Sequence, residues 1–418
     1  MRAVFLDRDG TITKSTDLIT KIEDLELEEG AAEGIKLMND LGLKVIVITN
    51  QPQVARGLCT EEDVHAINNE MINKLKKQGA IVDAVYFCPH HPEHHPDVPE
   101  HARKYRIDCR CRKPGTGLIE QAAKDFAISI ENSFFIGDST RDVKAGENAG
   151  CISILVETGL AGKDEKFPSE PDYTCSDILQ AAKLVKEIKD MSAVILVGGR
   201  GERMKPLTDN LPKPMLPIKG KPILEHQINL LRKYGINNIT LCGHYLFQKI
   251  IDYFGDGSKF GIEITYIDEP EPLGTGGALK NAENKIKSKN FILMNGDIAT
   301  NVRLSKLIQF HLEKHALATL VLRVSDHPCD SDVIEIDENC MVSNFVGKGQ
   351  EETRTANTGI FAINKKFLEF IPKGVSNLEK DVISKMIGQP VFGFISDDYF
   401  KDIGTIERFN KAQEESPL

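Results

Sequence analysis

Residues 1–11 read MRAVFLDRDGT and residues 191–201 read MSAVILVGGRG. In each, a short aliphatic run, Ala3–Leu6 and Ala193–Val197, breaks abruptly into a loop of Asp and Gly or of Gly and Arg. A continuous apolar run of this length predicts a strand buried on both faces, the first and central strand of a parallel sheet. Its carboxyl end then carries a ligand-binding loop. The pattern occurs twice, so two sheets are expected. The boundary is expected near residue 190, giving domains 1–190 and 191–418, each long enough to bury its own core.

Working outward from the first start, buried strands are expected at Lys44–Thr49, Ala84–Phe87, Phe134–Gly137 and Ile152–Val156. Helical periodicity lies between them, for example over Gly30–Leu41 and Glu61–Gln78. A last short strand and a helix capped by Ser176 or Asp177 fill Pro171–Lys189. The second half alternates likewise, with strands at Asn238–Cys242, Ile262–Ile267, Phe291–Met294, Ala318–Val324 and Gly359–Ile363. Alternating strands and helices predict an α/β fold of two fused doubly wound domains.

Composition agrees with this and excludes other classes. The 418 residues are 41% hydrophobic and 27% charged, which is ordinary globular usage and not that of a disordered or fibrous chain. The net charge is −10 and no Lys/Arg block occurs, so nucleic acid and anionic membrane are not expected partners. Any phosphate must be held by a few placed groups. No apolar run approaches the ~20 residues of a membrane span, and the charges at Arg2, Asp7, Arg8 and Asp9 do not suit a signal peptide. Nine cysteines, an odd number without framework spacing, predict a reducing cytoplasm. Homo-oligomer formation is left open.

Asp7 and Asp9 stand two apart at the end of the first strand, before Gly10-Thr11. Two carboxylates in one small loop repel each other unless a divalent cation lies between them; the common alternative is a surface Asp-Gly turn. Their company favours the cation. Thr49-Asn50-Gln51, Arg112-Lys113-Pro114 and Gly137-Asp138-Ser139 with Asp142 all follow strands or precede helices, and parallel strands bring such groups to one edge. Asp142 reads either as an outer metal neighbour or as a helix cap. A second cluster, Cys88-Pro89-His90-His91 with Cys109-Arg110-Cys111, offers Cys88, His90, Cys109 and Cys111 as the tetrahedral set of a structural Zn²⁺. A Cys109–Cys111 disulfide is disfavoured by strain and compartment. His91, His94, His95 and His101 read as a solvated loop.

The order DxDGT, Thr, Lys, GDxxxD resembles the haloacid-dehalogenase superfamily of phosphohydrolases. The Cys-x-His and Cys-x-Cys-Arg-Lys-Pro loop resembles the branch holding heptose bisphosphate and histidinol-phosphate phosphatases. The resemblance implies Asp7 as nucleophile, Asp9 as general acid and base, and Thr49 and Lys113 as holders of the phosphoryl oxygens. It also implies Mg²⁺ bound by Asp7, Asp9 and Asp138. Asn50, Gln51 and Arg56 match the branch's substrate segment, and Arg112 is implied to meet a second substrate phosphate.

In the second half, Gly198, Gly199, Gly201 and Arg203 follow the strand directly, and Lys213 sits between prolines in Leu211–Pro217. A Gly-rich loop lets backbone N–H groups close on phosphates, though its spacing is not that of a dinucleotide fingerprint. Together with Leu273–Ala278, Asn295-Gly296-Asp297 and Lys401–Thr405, these stretches resemble the sugar-1-phosphate nucleotidylyltransferases, with a Rossmann-like mixed sheet. The resemblance implies that the glycines and Arg203 bind the triphosphate, Gly276 and Gly277 lie against the base, and Lys213 bridges the reacting phosphates. Asp297 and Asp402 are implied to hold Mg²⁺. Lys348, Asn357, Thr358, Gly359, Glu379 and Lys380 are implied sugar-phosphate contacts.

A phosphatase joined to a nucleotidylyltransferase makes chemical sense if the first leaves a sugar 1-phosphate. The paired resemblances imply removal of the C7 phosphate from a heptose 1,7-bisphosphate, then transfer of GMP from GTP to give GDP-heptose. Two alternatives stay open: a histidinol-phosphate-type phosphatase fused to a hexose-1-phosphate enzyme, and a phosphatase with a non-catalytic nucleotide-sugar sensor.

Overall fold

The computed structural model describes residues 1–14, 18–93, 98–324, 332–347 and 355–418, so His94, His95 and Lys348 lie outside the described residues. The chain divides into two compact units, Met1–Lys189 and Asp190–Leu418.

In the first unit the elements run β1 (Ala3–Leu6), α1 (Ala31–Asp40), β2 (Lys44–Asn50), α2 (Glu61–Lys77), β3 (Ala84–Cys88) and α3 (Gly117–Phe126). They continue with β4 (Phe134–Gly137), α4 (Thr140–Ala149), β5 (Ile152–Val156), β6 (Tyr173–Cys175) and α5 (Ile178–Asp190). All six strands are parallel, in the order β3-β2-β1-β4-β5-β6. All four residues of β1 are buried, as a central strand between two helical layers requires. Phe5, Ile46, Ile48, Ile119 and Phe135 form much of one core layer. The helix starts are locally encoded: Thr60 and Asp63 make a capping box at α2, as Ser139 and Asp142 do at α4. Asp177 Oδ1 accepts the Gln180 N–H at 2.8 Å and caps α5. Strand order reverses between β1 and β4, so their carboxyl ends flank a crevice.

The second unit begins with β7 (Ser192–Leu196), a small hairpin of β8 (Pro217–Ile218) and β9 (Lys221–Pro222), α6 (Ile223–Lys233), β10 (Asn238–Gly243), α7 (Phe247–Phe254) and β11 (Glu263–Asp268). It continues with α8 (Gly274–Ala282), β12 (Asn290–Asn295), β13 (Ile298–Thr300), α9 (Leu304–Glu313), β14 (Ala318–Val324), β15 (Val333–Ile336) and β16 (Val342–Gly347). It closes with β17 (Thr355–Asn364), β18 (Val391–Ile395), β19 (Phe400–Asp402) and α10 (Ile406–Glu415). The main sheet runs β11-β10-β7-β12-β17-β14-β18 and is mixed: β17 is antiparallel to both neighbours. The crevice here lies between β7 and β12, where the order again reverses.

Seven strands of this unit escape sequence reading: the two- and three-residue β8, β9, β13 and β19, too short to show a pattern, and β15, β16 and β18. β18 carries Gly393 at its centre, because a Cβ there would lie 2.5 Å from Leu322 Cδ1; the glycine breaks the apolar run. β16 (VSNFVG) mixes apolar and polar residues without strict alternation and exposes Ser343 and Asn344, and β15 is only four residues long.

Candidate active sites

At the first crevice Asp7, Asp138 and Asp142 bring carboxylate oxygens within 4.8 Å of one another. Lys113 Nζ lies 2.8 Å from Asp7 Oδ1 and 2.6 Å from Asp142 Oδ1. One ammonium among three carboxylates leaves the group short of positive charge. Burial, with repulsion from Asp142, pushes Asp7 up to about 6 and Asp138 up to about 8. A divalent ion between Asp7 and Asp138 would offset this, so the donor set fits Mg²⁺. Asp142 acts as the α4 cap, accepting from Ser139 N at 3.1 Å and Ser139 Oγ at 2.5 Å, and as the Lys113 partner. The backbone leaves no room for side chains here: a Cβ on Gly10 (φ +79°) would lie 2.3 Å from Asp138 Oδ2, and one on Gly159 2.2 Å. Asn50 clamps Lys113 from both sides, donating to its carbonyl at 3.1 Å and accepting its N–H at 3.0 Å.

A cavity of 190 Å³ opens above these groups, lined among others by Asp7, Asp9, Thr49, Asn50, Lys113 and Asp138. Its wall carries Arg56, Arg112, Arg141 and Lys166. Arg141 and Lys166 were not anticipated; only their convergence in space marks them. Gln51 departs from expectation. It is fully buried beneath the cavity, donating to Asp9 Oδ2 and Thr49 Oγ1 at 2.9 Å each, because the next turn folds it inward. The larger surprise is Arg8, read from sequence only as a charge. Its side chain is fully buried, and Nε and NH2 hold the two Asp9 oxygens at 2.8 and 3.0 Å. It also reaches Asn68 Oδ1 at 2.8 Å and Gln51 Oε1 at 2.6 Å.

Cys88, His90, Cys109 and Cys111 converge. His90 Nδ1 lies 3.2 Å from Cys111 Sγ and 3.7 Å from Cys88 Sγ, and the three sulfurs stand 3.0–3.6 Å apart. A disulfide would need ~2.05 Å. Zinc arms of about 2.3 Å to sulfur and 2.0 Å to nitrogen imply tetrahedral edges of roughly 3.5–3.8 Å, so the four donors fit a structural Zn²⁺. Burial pushes Cys88 up, and burial together with the Cys109 thiol pushes Cys111 up to about 11, costs that a bound dication would reverse. The cluster places Arg112, whose NH1 donates to the His90 carbonyl at 3.1 Å. His91 corrects the solvated-loop reading: its side chain is only 12% exposed and lines the 190 Å³ cavity. The His91 N–H is drawn in by the Tyr105 carbonyl at 3.1 Å.

In the second unit a cavity of 460 Å³ lies at the β7/β12 crevice. Gly198, Gly199, Gly201, Arg203, Lys213 and Asp297 all line it. Lys213 Nζ contacts Asp297 Oδ2. Gln227 secures the turn beneath Asp297, its Nε2 donating at 2.9 Å to the carbonyls of Asn295 and Ile298. Glu269, missed as a lining group, is buried there and raised by that burial. Asp402 enters beside Asp297 because β13 and β19 pair, Ile298 opposite Asp402. Its carboxylate, however, is held by Arg408 at 2.9 and 3.0 Å and does not line the cavity.

Gly276 and Gly277 also differ from expectation. Their N–H groups donate to the Ser376 carbonyl at 2.9 and 3.2 Å, and a Cβ on Gly277 would lie 2.3 Å from the Gly374 carbonyl. They are small to let residues 374–376 pass, while Gly274 and Thr275 line the cavity. Thr275 leads to the expected sugar contacts: its Oγ1 donates to Glu379 Oε2 at 3.3 Å, and Asn357 Nδ2 donates to Glu379 Oε1 at 3.3 Å. Thr358 instead bonds the Val321 carbonyl, Gly359 packs on Asn295, and Lys380 is exposed; none of these three, nor Asn357 or Glu379, lines the cavity.

Residues 192–417 match the nucleotidyl transferase family, and residues 110–181 match the HAD-hydrolase-like family. Mannose-1-phosphate guanylyltransferase of Mycobacterium tuberculosis is 34% identical over 52% of this chain, which spans 62% of that protein. D-glycero-alpha-D-manno-heptose 1-phosphate guanylyltransferase of Aneurinibacillus thermoaerophilus is 38% identical over 54% of this chain and 98% of its own. D-glycero-alpha-D-manno-heptose-1,7-bisphosphate 7-phosphatase of Photorhabdus laumondii is 37% identical over 44% of this chain and 97% of its own. The two full-length relatives fall on different units. The chain therefore belongs to the nucleotidyl transferase family through its second unit and to the HAD-like phosphatases through its first.

Proposed function

We propose that the chain is a bifunctional enzyme of nucleotide-activated heptose synthesis. The first unit hydrolyses the C7 phosphate of D-glycero-D-manno-heptose 1,7-bisphosphate, and the second transfers GMP from GTP to the resulting heptose 1-phosphate. The observation that carries this reading is the split of charge in the first cavity. Carboxylates and Lys113 form its floor, and Arg56, Arg112, Arg141 and Lys166 form its wall. Among the described residues, Arg56, Arg141 and Lys166 have no ion-paired carboxylate. A substrate with one phosphate needs only the floor; the wall calls for a second anionic group. Histidinol phosphate, which carries an amine there, would be repelled.

In the first step Asp7 attacks phosphorus, forming its bond to phosphate as the bond to the C7 oxygen breaks. Asp7 Oδ1 is fixed by Arg8 N at 2.7 Å and by Lys113. Asp9, oriented by Arg8, gives the C7 oxygen a proton and then takes one from the water that frees Asp7. Thr49 and Lys113 hold the phosphoryl oxygens. Mg²⁺ held by Asp7, Asp138 and the Asp9 carbonyl would supply the charge that lets a dianion meet a carboxylate.

In the second step a heptose-1-phosphate oxygen attacks the α-phosphorus of GTP in line, and pyrophosphate leaves. The attacking phosphate is largely ionised at neutral pH (second pKa ~6), so no general base is needed. Arg203 and Lys213 neutralise the phosphates, and the Gly198–Gly201 backbone surrounds them. Asp297 and Asp402 would hold Mg²⁺. Thr275 lines the cavity where the sugar would lie, and Glu379 and Asn357, bonded in line behind it, would complete the sugar contacts. The cysteines among the described residues are unbridged, which together with the need for GTP supports a cytoplasmic location.

The test is mass spectrometry of products from the heptose bisphosphate mixed with all four nucleoside triphosphates. Wild type should give GDP-heptose. Asp7→Asn should stop at unreacted bisphosphate yet still convert heptose 1-phosphate, and Asp297→Ala should stop at heptose 1-phosphate. Loss of both activities in either variant would refute separate sites.

A further inference from the structure

Both carboxylates read as metal-holding in the second unit carry a cation of the chain itself. Lys213 on Asp297 belongs to the machinery already described; Arg408 on Asp402 does not. Arg408 NH1 lies 2.9 Å from Asp402 Oδ1 and 3.0 Å from Oδ2. One nitrogen thus straddles both oxygens, the position a bidentately held metal ion takes on a carboxylate.

The placement is not explained by helix stability. Thr405 caps α10, its Oγ1 accepting the Arg408 N–H at 3.3 Å, so Arg408 sits in the first turn. That is the positive end of the helix dipole, where a cation is disfavoured. The Asp402 side chain is 49% exposed and open to ions from solvent, while that of Arg408 is 14% exposed. Gly404, which lines the nucleotide cavity, sits at the junction. A Cβ on it would lie 2.6 Å from Asp402 Oδ1, 3.1 Å from Arg203 NH2 and 3.7 Å from Arg408 NH1.

We propose that Arg408 is a positioning residue that acts as a placeholder cation, holding Asp402 in place until a divalent metal ion displaces it from the same two oxygens. The idea rests on the reading of Asp402 as a metal carboxylate. Displacement exchanges one positive charge on Asp402 for the metal's two as the metal–nucleotide enters, so the positive charge held at this carboxylate rises when the polyphosphate arrives. Until then Asp402 is neither repelled by Asp297 nor left to wander.

The test is Mn²⁺ binding to the full-length protein without nucleotide, read from the electron paramagnetic resonance signal of unbound Mn²⁺. The chain carries Asp138→Asn to weaken the first unit's cluster, and Asp402→Asn serves as the subtraction reference. Arg408→Met should tighten the Asp402-dependent site about two- to fivefold, the worth of a solvent-accessible ion pair. Arg408→Lys should return it toward wild type. A merely structural Arg408 would give weaker or unchanged binding on removal, and either result overturns the proposal. If Arg408→Met does not fold, Arg408→Gln makes the same comparison with the charge removed. If Asp402→Asn abolishes no Mn²⁺ site in either background, the metal reading of Asp402 fails, and the proposal with it.

Discussion

Replacing Arg8 by methionine should disable the first unit and spare the second. The guanidinium is fully buried and makes four hydrogen bonds: two to Asp9, one to Asn68 and one to Gln51. Methionine fills similar volume but donates nothing. Asn68 Oδ1 loses the Arg8 donor, at about 1–3 kcal/mol for a buried acceptor, whereas Gln51 Oε1 keeps Gln53. Asp9 loses its counter-ion. Breaking a fully buried pair costs about 3–5 kcal/mol, and the Asp9 side chain is 20% exposed, which lowers its share to about 2 kcal/mol. The sum is roughly 3–5 kcal/mol. At about 2–4 °C per kcal/mol for a domain of this size, the first unit's transition should fall by about 6–20 °C. Scanning calorimetry would show one transition moving and the other fixed, phosphate release would be lost with Asp9's orientation, and pyrophosphate release would persist. A variant with an unmoved transition and intact phosphate release would refute the claim that Arg8 holds this site together.

Zinc analysis should find about one equivalent per chain, lost in the Cys109→Ser/Cys111→Ser double variant together with stability of the first unit. Arg141→Ala or Lys166→Ala should raise KM for the bisphosphate about tenfold, the worth of one charged hydrogen bond, and leave hydrolysis of a heptose 7-monophosphate unchanged; equal effects on both would place these cations elsewhere. In magnesium-free protein, Asp7 and Asp138 add stability below the ordinary carboxyl value of 3.8 that is lost as pH rises through about 6 and about 8. The gain in melting temperature on adding Mg²⁺ should therefore be larger at pH 8.5 than at pH 6, and an equal gain would argue against metal between these groups.

What could be read without coordinates was local in kind. A strand buried on both faces must be continuously apolar, and a ligand loop at its end must be made of Asp, Gly or Arg, so Ala3–Leu6 and Ala193–Val197 announced the first strand of each sheet, found at Ala3–Leu6 and Ser192–Leu196. The four zinc-type donors were equally legible, because two pairs with one residue between them suffice to name them. A cap of α5 at Ser176 or Asp177 followed for the same reason, and Asp177 is the one used.

Other features depended on partners far away in the chain. Arg8 looks like any charged residue until Asn68 and Gln51 close over it, and His91 and Lys166 reach the cavity only because the loops that carry them fold across it. Gly276 and Gly277 suggest a ligand loop, yet their size answers to residues 374–376 nearly a hundred positions later. The grip of Arg408 on Asp402 depends on where a helix happens to start beside a strand end. Local sequence determines what a backbone segment can become, since propensity and burial act over a few residues. Which buried charge meets which partner is decided only when distant segments pack, since that interaction depends on distance in space.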